Sequence, residues 1–451
     1  MGDSPIPRRS AAFPFDLDLT RRDALRIGGA ASLAAFIVAC GGGGGGGGTT
    51  ATTGTVSVGS NQSDTSATGG PRKGMADVTT AFEATGNKVK LNTVDHGTFQ
   101  DQISSYLQGT PEDTFTWFSG HRMRFFANQG LAAPVDDVWN KVKGSYTPAF
   151  AEAVKNTDGH YYGIPVDYYP WGVFYRKSLF QEKNYKVPTN WDDFKSLAAK
   201  MKQDGLVPIA LADKDGWPAM GTFDALNLRL NGYDFHINLM NGKEKWTDSK
   251  VTTVFKRWAE LVPYYNDGAP GMKWQDGAAL VVKKQAGMTV LGLFLTQEMP
   301  PDQVEDLDFF PFPEMGTQYD AEKALDAPID VMMIAKKSRT LDKDMNTVKA
   351  YLEFWAKGST QLTMWKAAPG FIPAASDTDT SSFPAITKKA VQVVTSAKRI
   401  TQFLDRDTRP DFAGPNGMQQ FLLTFLSNPT ADPTGLQKTM QSFWDSLPPE
   451  K

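Results

Sequence analysis

Two short runs set aromatic rings beside carboxylates: Asp167-Tyr168-Tyr169-Pro170-Trp171 and Asp215-Gly216-Trp217. A third group places Trp117 shortly before His121 and Arg122. Asp330 stands alone among apolar residues, and Arg406 and Asp411 belong to the densest alternating charge run, 405–412. Carboxylates and guanidinium groups each form two hydrogen bonds of fixed geometry, and flat rings offer apolar faces. Such a set can grip a small molecule without reacting with it. Each member also has a plainer role. Trp117 can be core, Arg122 a solvated helix-start charge, the 167–171 run a packed hinge, and Asp215-Gly216-Trp217 a polar turn. Asp330 can secure backbone, and the charge run can be a solvated face.

Covalent and metal chemistry find little support. No G-x-S-x-G or H-E-x-x-H motif appears. The four histidines, His96, His121, His160 and His236, show no metal-ligand spacing. All but His121 are read as structural or surface residues. No cofactor is expected. Formal net charge is −3 and the isoelectric point is near 5.9, without a basic cluster in the folded part, which argues against nucleic acid.

The N-terminus reads as an address. Arg21 and Arg22 open a charged stretch, 27–38 is apolar, and Cys40 ends it as the chain's single cysteine. The apolar part is shorter than the ~20 residues that a span requires, so a cleaved signal over 1–39 is expected. Thr20-Arg21-Arg22-Asp23-Ala24-Leu25-Arg26 partly fits a twin-arginine signal, with the Sec route as competitor. Ile37-Val38-Ala39-Cys40 resembles a lipobox, which would make Cys40 a lipidated N-terminus. Eight glycines from Gly41 then form part of a flexible tether over 40–54.

Beyond the tether, the length exceeds the ~250–300 residues at which one core stops growing, so two domains are expected. Alternation marks strands at 55–58, 89–94 and 114–117, and helical periodicity marks 74–85, 99–107 and 122–129 between and after them. This order implies a parallel sheet with covering helices. A long extended segment follows at 163–175, then a helix over 191–204 and a strand at 207–211 ending in the loop 212–218. Further helices are expected at 223–231, 251–262, 345–357 and 359–366, and further strands at 287–294, 308–311 and 329–335. The end of the chain, 384–447, reads as mostly helical. Trp274 and Trp365 are assigned to the core.

Four stretches in this order resemble the extracellular solute-binding proteins of carbohydrate ABC transporters, the class that includes maltose-binding protein. They are 114–131, ending Asn128-Gln129-Gly130-Leu131; Tyr161-Tyr162-Gly163-Ile164-Pro165-Val166 through Tyr175-Arg176-Lys177 to Trp191-Asp192-Asp193-Phe194; Gln285-Ala286-Gly287-Met288 to Gly292; and Ala368-Pro369-Gly370-Phe371-Ile372-Pro373-Ala374. The resemblance implies two α/β lobes joined by crossings near 166–171, 327–331 and 369–373, with extra C-terminal helices. One lobe would comprise 55–167 and 331–370, the other 171–327 and 374–451.

It also implies a neutral sugar, mono- or oligosaccharide, held between the lobes and passed by a monomeric, lipid-anchored receptor to an inner-membrane permease. A sugar presents apolar C–H faces and a rim of hydroxyls. In that setting Trp117, Tyr169 and Trp217 become stacking plates. His121, Arg122, Asp167, Tyr168, Trp171, Asp215, Asp330, Arg406 and Asp411 complete the expected contacts. Two rivals stand beside this. One is the same fold serving another solute, for which Tyr168, Tyr169 and His121 would suit iron. The other is a secreted enzyme acting on glycosides.

Overall fold

The structure, a computed structural model, describes residues 54–338 and 341–450. The expected signal segment, Cys40 and nearly all of the tether lie outside the described residues. Apolar alternation builds the first three strands, β1 (Thr55–Ser60), β2 (Lys88–Thr93) and β3 (Thr114–Phe118), with helices α1 (Gly70–Glu83) and α2 (His96–Gln108) between them and α3 (His121–Asn128) after. β1 pairs in parallel with both β2 and β3, as the strand–helix alternation predicts. The Asp95 carboxylate accepts from the Thr98 backbone N–H and caps the start of α2.

After the short β4 (Ala132–Ala133), the extended segment expected at 163–175 resolves into two strands in different sheets. β5 (Ile164–Tyr168) joins the first sheet and β6 (Trp171–Arg176) the second. Pro170 separates them. It has no N–H to give to a ladder, and its carbonyl accepts from Leu293 N at 3.0 Å. Around β6 the second sheet takes β7 (Val207–Ala210), β8 (Ala286–Gly292) and β9 (Leu307–Phe310), in the order β7-β8-β6-β9.

The short β10 (Leu325–Asp326) precedes the return to the first sheet through β11 (Ile329–Ala335). β11 runs antiparallel between β3 and β5, and β12 (Ile372–Pro373) pairs antiparallel with β5. The first sheet is therefore mixed rather than wholly parallel, in the order β12-β5-β11-β3-β1-β2. Past 373 the chain still touches that side, since Ala375 N–H donates to Gln361 Oε1 at 2.8 Å and Ser376 N–H to Ser145 O at 2.9 Å. β13 (Ile400–Thr401) pairs with β10, and helices dominate what remains.

Two α/β lobes result, each with helices packed on its sheet. Every residue of β3, β5, β6, β8 and β11 is buried, as fits strands covered on both faces. The helix Pro218–Met240 runs longer than the expected 223–231 and bends at Gly232, whose φ of 81° falls in the left-handed region. The helix Trp274–Val282 has no counterpart in the sequence reading; the Lys273 backbone N–H donates to Asp276 Oδ2 and closes its start.

Candidate functional site

Open α/β sheets place ligands beyond the carboxyl ends of their strands. The loop after β1, the start of α2 and the ends of β5 and β11 meet the loop after β7, the start of the helix Trp274–Val282 and the segment after β8. Together with 403–406 they enclose a cavity of about 370 Å³, within the ~300–1,000 Å³ usual for small-molecule sites.

One wall is aromatic. The Trp171 ring stacks on Phe403 at 4.6 Å and 21°, and meets Trp217 edge-on at 6.1 Å and 90°. Phe294 fills the corner between Trp217, Trp274, Tyr169 and Phe371. Phe403 holds a φ of 88°, a costly backbone for a non-glycine residue, and that conformation accompanies its stack beneath Trp171.

A polar wall adjoins it through Tyr169. Arg406 donates to Asp330 Oδ1 and to the Tyr169 hydroxyl, both at 2.6 Å, and lies 3.9 Å over the Phe118 ring. Burial works against the Arg406 charge, but Tyr169, Asp330 and Asp405 more than offset it and hold its pKa above the ordinary value. Asp167 faces Asp330 across the β5–β11 pair. Burial first, and then the Asp330 charge, push the Asp167 carboxyl well above the usual range, with Arg406 opposing. At the exposed rim, burial raises Asp215 against the pull of Lys273, His96 and Lys214.

Among the described residues, four buried polar atoms of residues that border the cavity have no hydrogen-bond partner, Asn61 Nδ2, Trp171 Nε1, Gln275 Oε1 and Asp405 Oδ1, the last lying 3.9 Å from Arg406 Nε. These four atoms are shut off from solvent; the lining itself mixes donors and acceptors, among them Lys273, Gln62, Gln297 and Asp64, and so suits a ligand that supplies both. Hydroxyl groups do so.

Of the residues expected from sequence, Tyr169, Trp171, Asp215, Trp217, Asp330 and Arg406 line this cavity. The others do not. Trp117 is 1% exposed and packs against Phe99 and Phe126, whereas its neighbour Phe118 reaches the cavity, because successive side chains of a strand leave opposite faces. Arg122 lies behind the wall, donating to Gln100 Oε1 at 2.7 Å and to Asp405 Oδ2 at 3.3 Å. His121 sits elsewhere, its ring nitrogens 3.2 Å from Asn241 Oδ1 and 3.0 Å from Glu450 Oε1.

Tyr168 is turned into the core against Phe150, Asp167 is sealed beneath Asp330, and Asp411 is engaged by the Arg409 guanidinium at 2.6 and 2.8 Å. Conversely, Trp274, read as core, borders the cavity, as do Asn61, Gln62, Asp64, His96, Gln100, Gln275, Phe294, Phe371, Phe403 and Asp405. The polar run Asn61-Gln62-Ser63-Asp64, directly after a parallel strand, carried a usable signal for part of this set. Among the described residues no group of three or more His, Cys, Asp or Glu side chains could hold a metal ion.

Comparison with known proteins agrees with this geometry. The structure is similar to that of the bacterial solute receptor AcbH, which has an exclusive substrate preference for β-D-galactopyranose. The two share 42% identity with a TM-score of 0.83 over 87% of this chain and 99% of that one. The sequence is 26% identical over 305 residues to the uncharacterized ABC transporter extracellular-binding protein PH1214 of Pyrococcus horikoshii, covering 65% of each chain. It is 25% identical over 288 residues to a probable sugar-binding periplasmic protein of Rhizobium meliloti, covering 60% of this chain and 64% of the relative. The matched stretch thus spans just under two thirds of these relatives' own length. Residues 65–358 match the model of the bacterial extracellular solute-binding proteins, and the chain belongs to that family.

Proposed function

We propose that this protein is a receptor that holds one neutral hexopyranose between its lobes and delivers it to an ABC importer, with β-D-galactopyranose as the first candidate. The observation that carries this reading is a cavity of about 370 Å³ walled by Trp171, Trp217 and Trp274 and bordered by both donors and acceptors, among them Lys273, Gln62, Gln297 and Asp64. Rings cover the C–H faces of a pyranose, and the polar side chains of the lining meet its hydroxyls. Carboxylates outnumber cations in the lining, which disfavours a phosphorylated sugar. The preference of AcbH, the 42% identical relative, favours a monosaccharide.

In this reading the lobes swing about the crossings near 166–171 and 327–331, and sugar contacts from both sides favour the closed form. Export over 1–39, lipidation of Cys40 and a tether to residue 54 would hold the receptor at the outer face of the cytoplasmic membrane as a monomer. Titration calorimetry against galactose, glucose, a disaccharide and a sugar phosphate tests the proposal. A neutral monosaccharide should bind, and Trp217→Ala should weaken it by roughly tenfold or more. Silence with every neutral sugar, or an unchanged affinity for Trp217→Ala, would overturn it.

A further inference from the structure

A chain of hydrogen bonds runs along the polar wall from Asp405 through Arg122 and Gln100 to His96. Arg122 Nη1 lies 3.3 Å from Asp405 Oδ2 and 2.7 Å from Gln100 Oε1. Gln100 Nε2 lies 2.6 Å from His96 Nε2, and His96 Nδ1 lies 3.3 Å from the Asn61 carbonyl. The polarity of every link follows from chemistry. A guanidinium only donates, so the Gln100 amide must turn its oxygen to Arg122 and its NH2 to His96. His96 Nε2 must then accept, which leaves the ring proton on Nδ1, where the Asn61 carbonyl receives it.

We propose that Arg122 and Gln100 are positioning residues that hold His96 as the neutral Nδ1–H tautomer, and that the sugar-recognition wall is assembled only in that state. The last clause rests on the sugar reading; the tautomer does not. A protonated His96 would set an N–H against the Gln100 NH2. The amide cannot turn over in response, because its NH2 would then face the Arg122 guanidinium. The His96 and Gln100 side chains would have to part, while the Nδ1–H bond to the Asn61 carbonyl persists, so the wall opens between His96 and Gln100.

The surroundings pull the other way. On and beside its own helix His96 has Asp95 and Asp101, and Asp64 comes from the loop after β1. Also bordering the cavity are Asp215 and Lys214 after β7, Lys273 before the helix Trp274–Val282, Asp330 on β11, and Asp405 and Arg406. His96 interacts electrostatically with Asp95, Asp215 and Asp330. Phe118 covers one side of the ring at 6.2 Å. Carboxylates favour the imidazolium while the amide of Gln100 opposes it. Acidification therefore works against the wall.

Two readouts on the purified chain test this. Nitrogen-15 NMR of the histidine rings, with His96 assigned by His96→Gln, should show the Nδ1–H tautomer at about pH 8. Gln100→Glu replaces the opposing NH2 with a carboxylate that accepts from both Arg122 and an imidazolium, so His96 should then stay protonated. The affinity of the wild-type chain for the bound monosaccharide should fall by roughly tenfold on acidification. That loss should be abolished in Gln100→Glu and blunted in Gln100→Leu, which serves if the first variant folds poorly. An Nε2–H tautomer in the wild type, or an acid loss identical in the Gln100 variants, would overturn the proposal. The expected tautomer without binding of any sugar would sink the sugar reading and leave the relay standing.

Discussion

At the residue scale, Asn61 shows what a shut-in amide beside the cavity contributes. Its Oδ1 accepts from the Thr116 hydroxyl at 2.8 Å, while its Nδ2 has no partner. Asn61→Asp keeps the shape and the Thr116 bond but turns the free donor into an acceptor. The melting temperature at about pH 8 should fall, since a buried oxygen without a donor costs about 1–3 kcal/mol or more when charged, and sugar affinity should fall with it because Asn61 borders the cavity. Calorimetry paired with thermal denaturation checks both halves; unchanged affinity would mean that Asn61 has no bearing on the ligand. Only its place in the polar run directly after β1 marks this asparagine in the sequence. Trp171 and Trp217 were legible because rings beside acids are uncommon in loops. Trp117 was misread because a strand tryptophan and its neighbour Phe118 differ only in which face each takes, and packing decides that.

At the element scale, the position of the Trp171 plate is set by a helix that never touches the cavity with its own second turn. Gly221, in the helix Pro218–Met240, lies so close beneath the indole that a Cβ there would overlap the Trp171 ring. Gly221→Ala favours the helix by about 1 kcal/mol in propensity, yet must push the plate toward the cavity or the helix away from β6. We expect sugar affinity to drop by roughly tenfold with the helical circular dichroism unchanged; intact affinity would show that the plate has room to retreat. The elements themselves were largely legible, since alternation and helical period located β1, β2, β3 and β11 closely. The split of 163–175 into two sheets was not, because both halves are buried and apolar or aromatic and only Pro170 marks the change. The antiparallel insertion of β11 beside β3 was equally invisible, since it joins residues more than two hundred positions apart.

At the scale of the molecule, acid should act on stability and on binding in opposite directions. Burial raises Asp213 and Asp326 to about 7, and Asp407 to about 6. Asp167, Asp224 and Asp330 are raised in the same sense, again chiefly by burial. Between the ordinary carboxylate value and these raised values the folded chain binds protons that the unfolded chain does not. Stability therefore rises as pH falls from above 7 toward 4, the reverse of the behaviour of a salt-bridged surface acid. His236 opposes this, because burial holds it at about 3 and the unfolded chain protonates first, but it is one group against several. The melting temperature of the unliganded chain should accordingly be higher at about pH 5 than at about pH 8. Asp213→Asn should flatten part of that gain, since it leaves no proton to take up there. The monosaccharide affinity, governed by His96, should fall over the same interval. Parallel melting and calorimetric series separate the two: a melting temperature that falls together with affinity would place the acid effect in the fold as a whole rather than in the cavity wall.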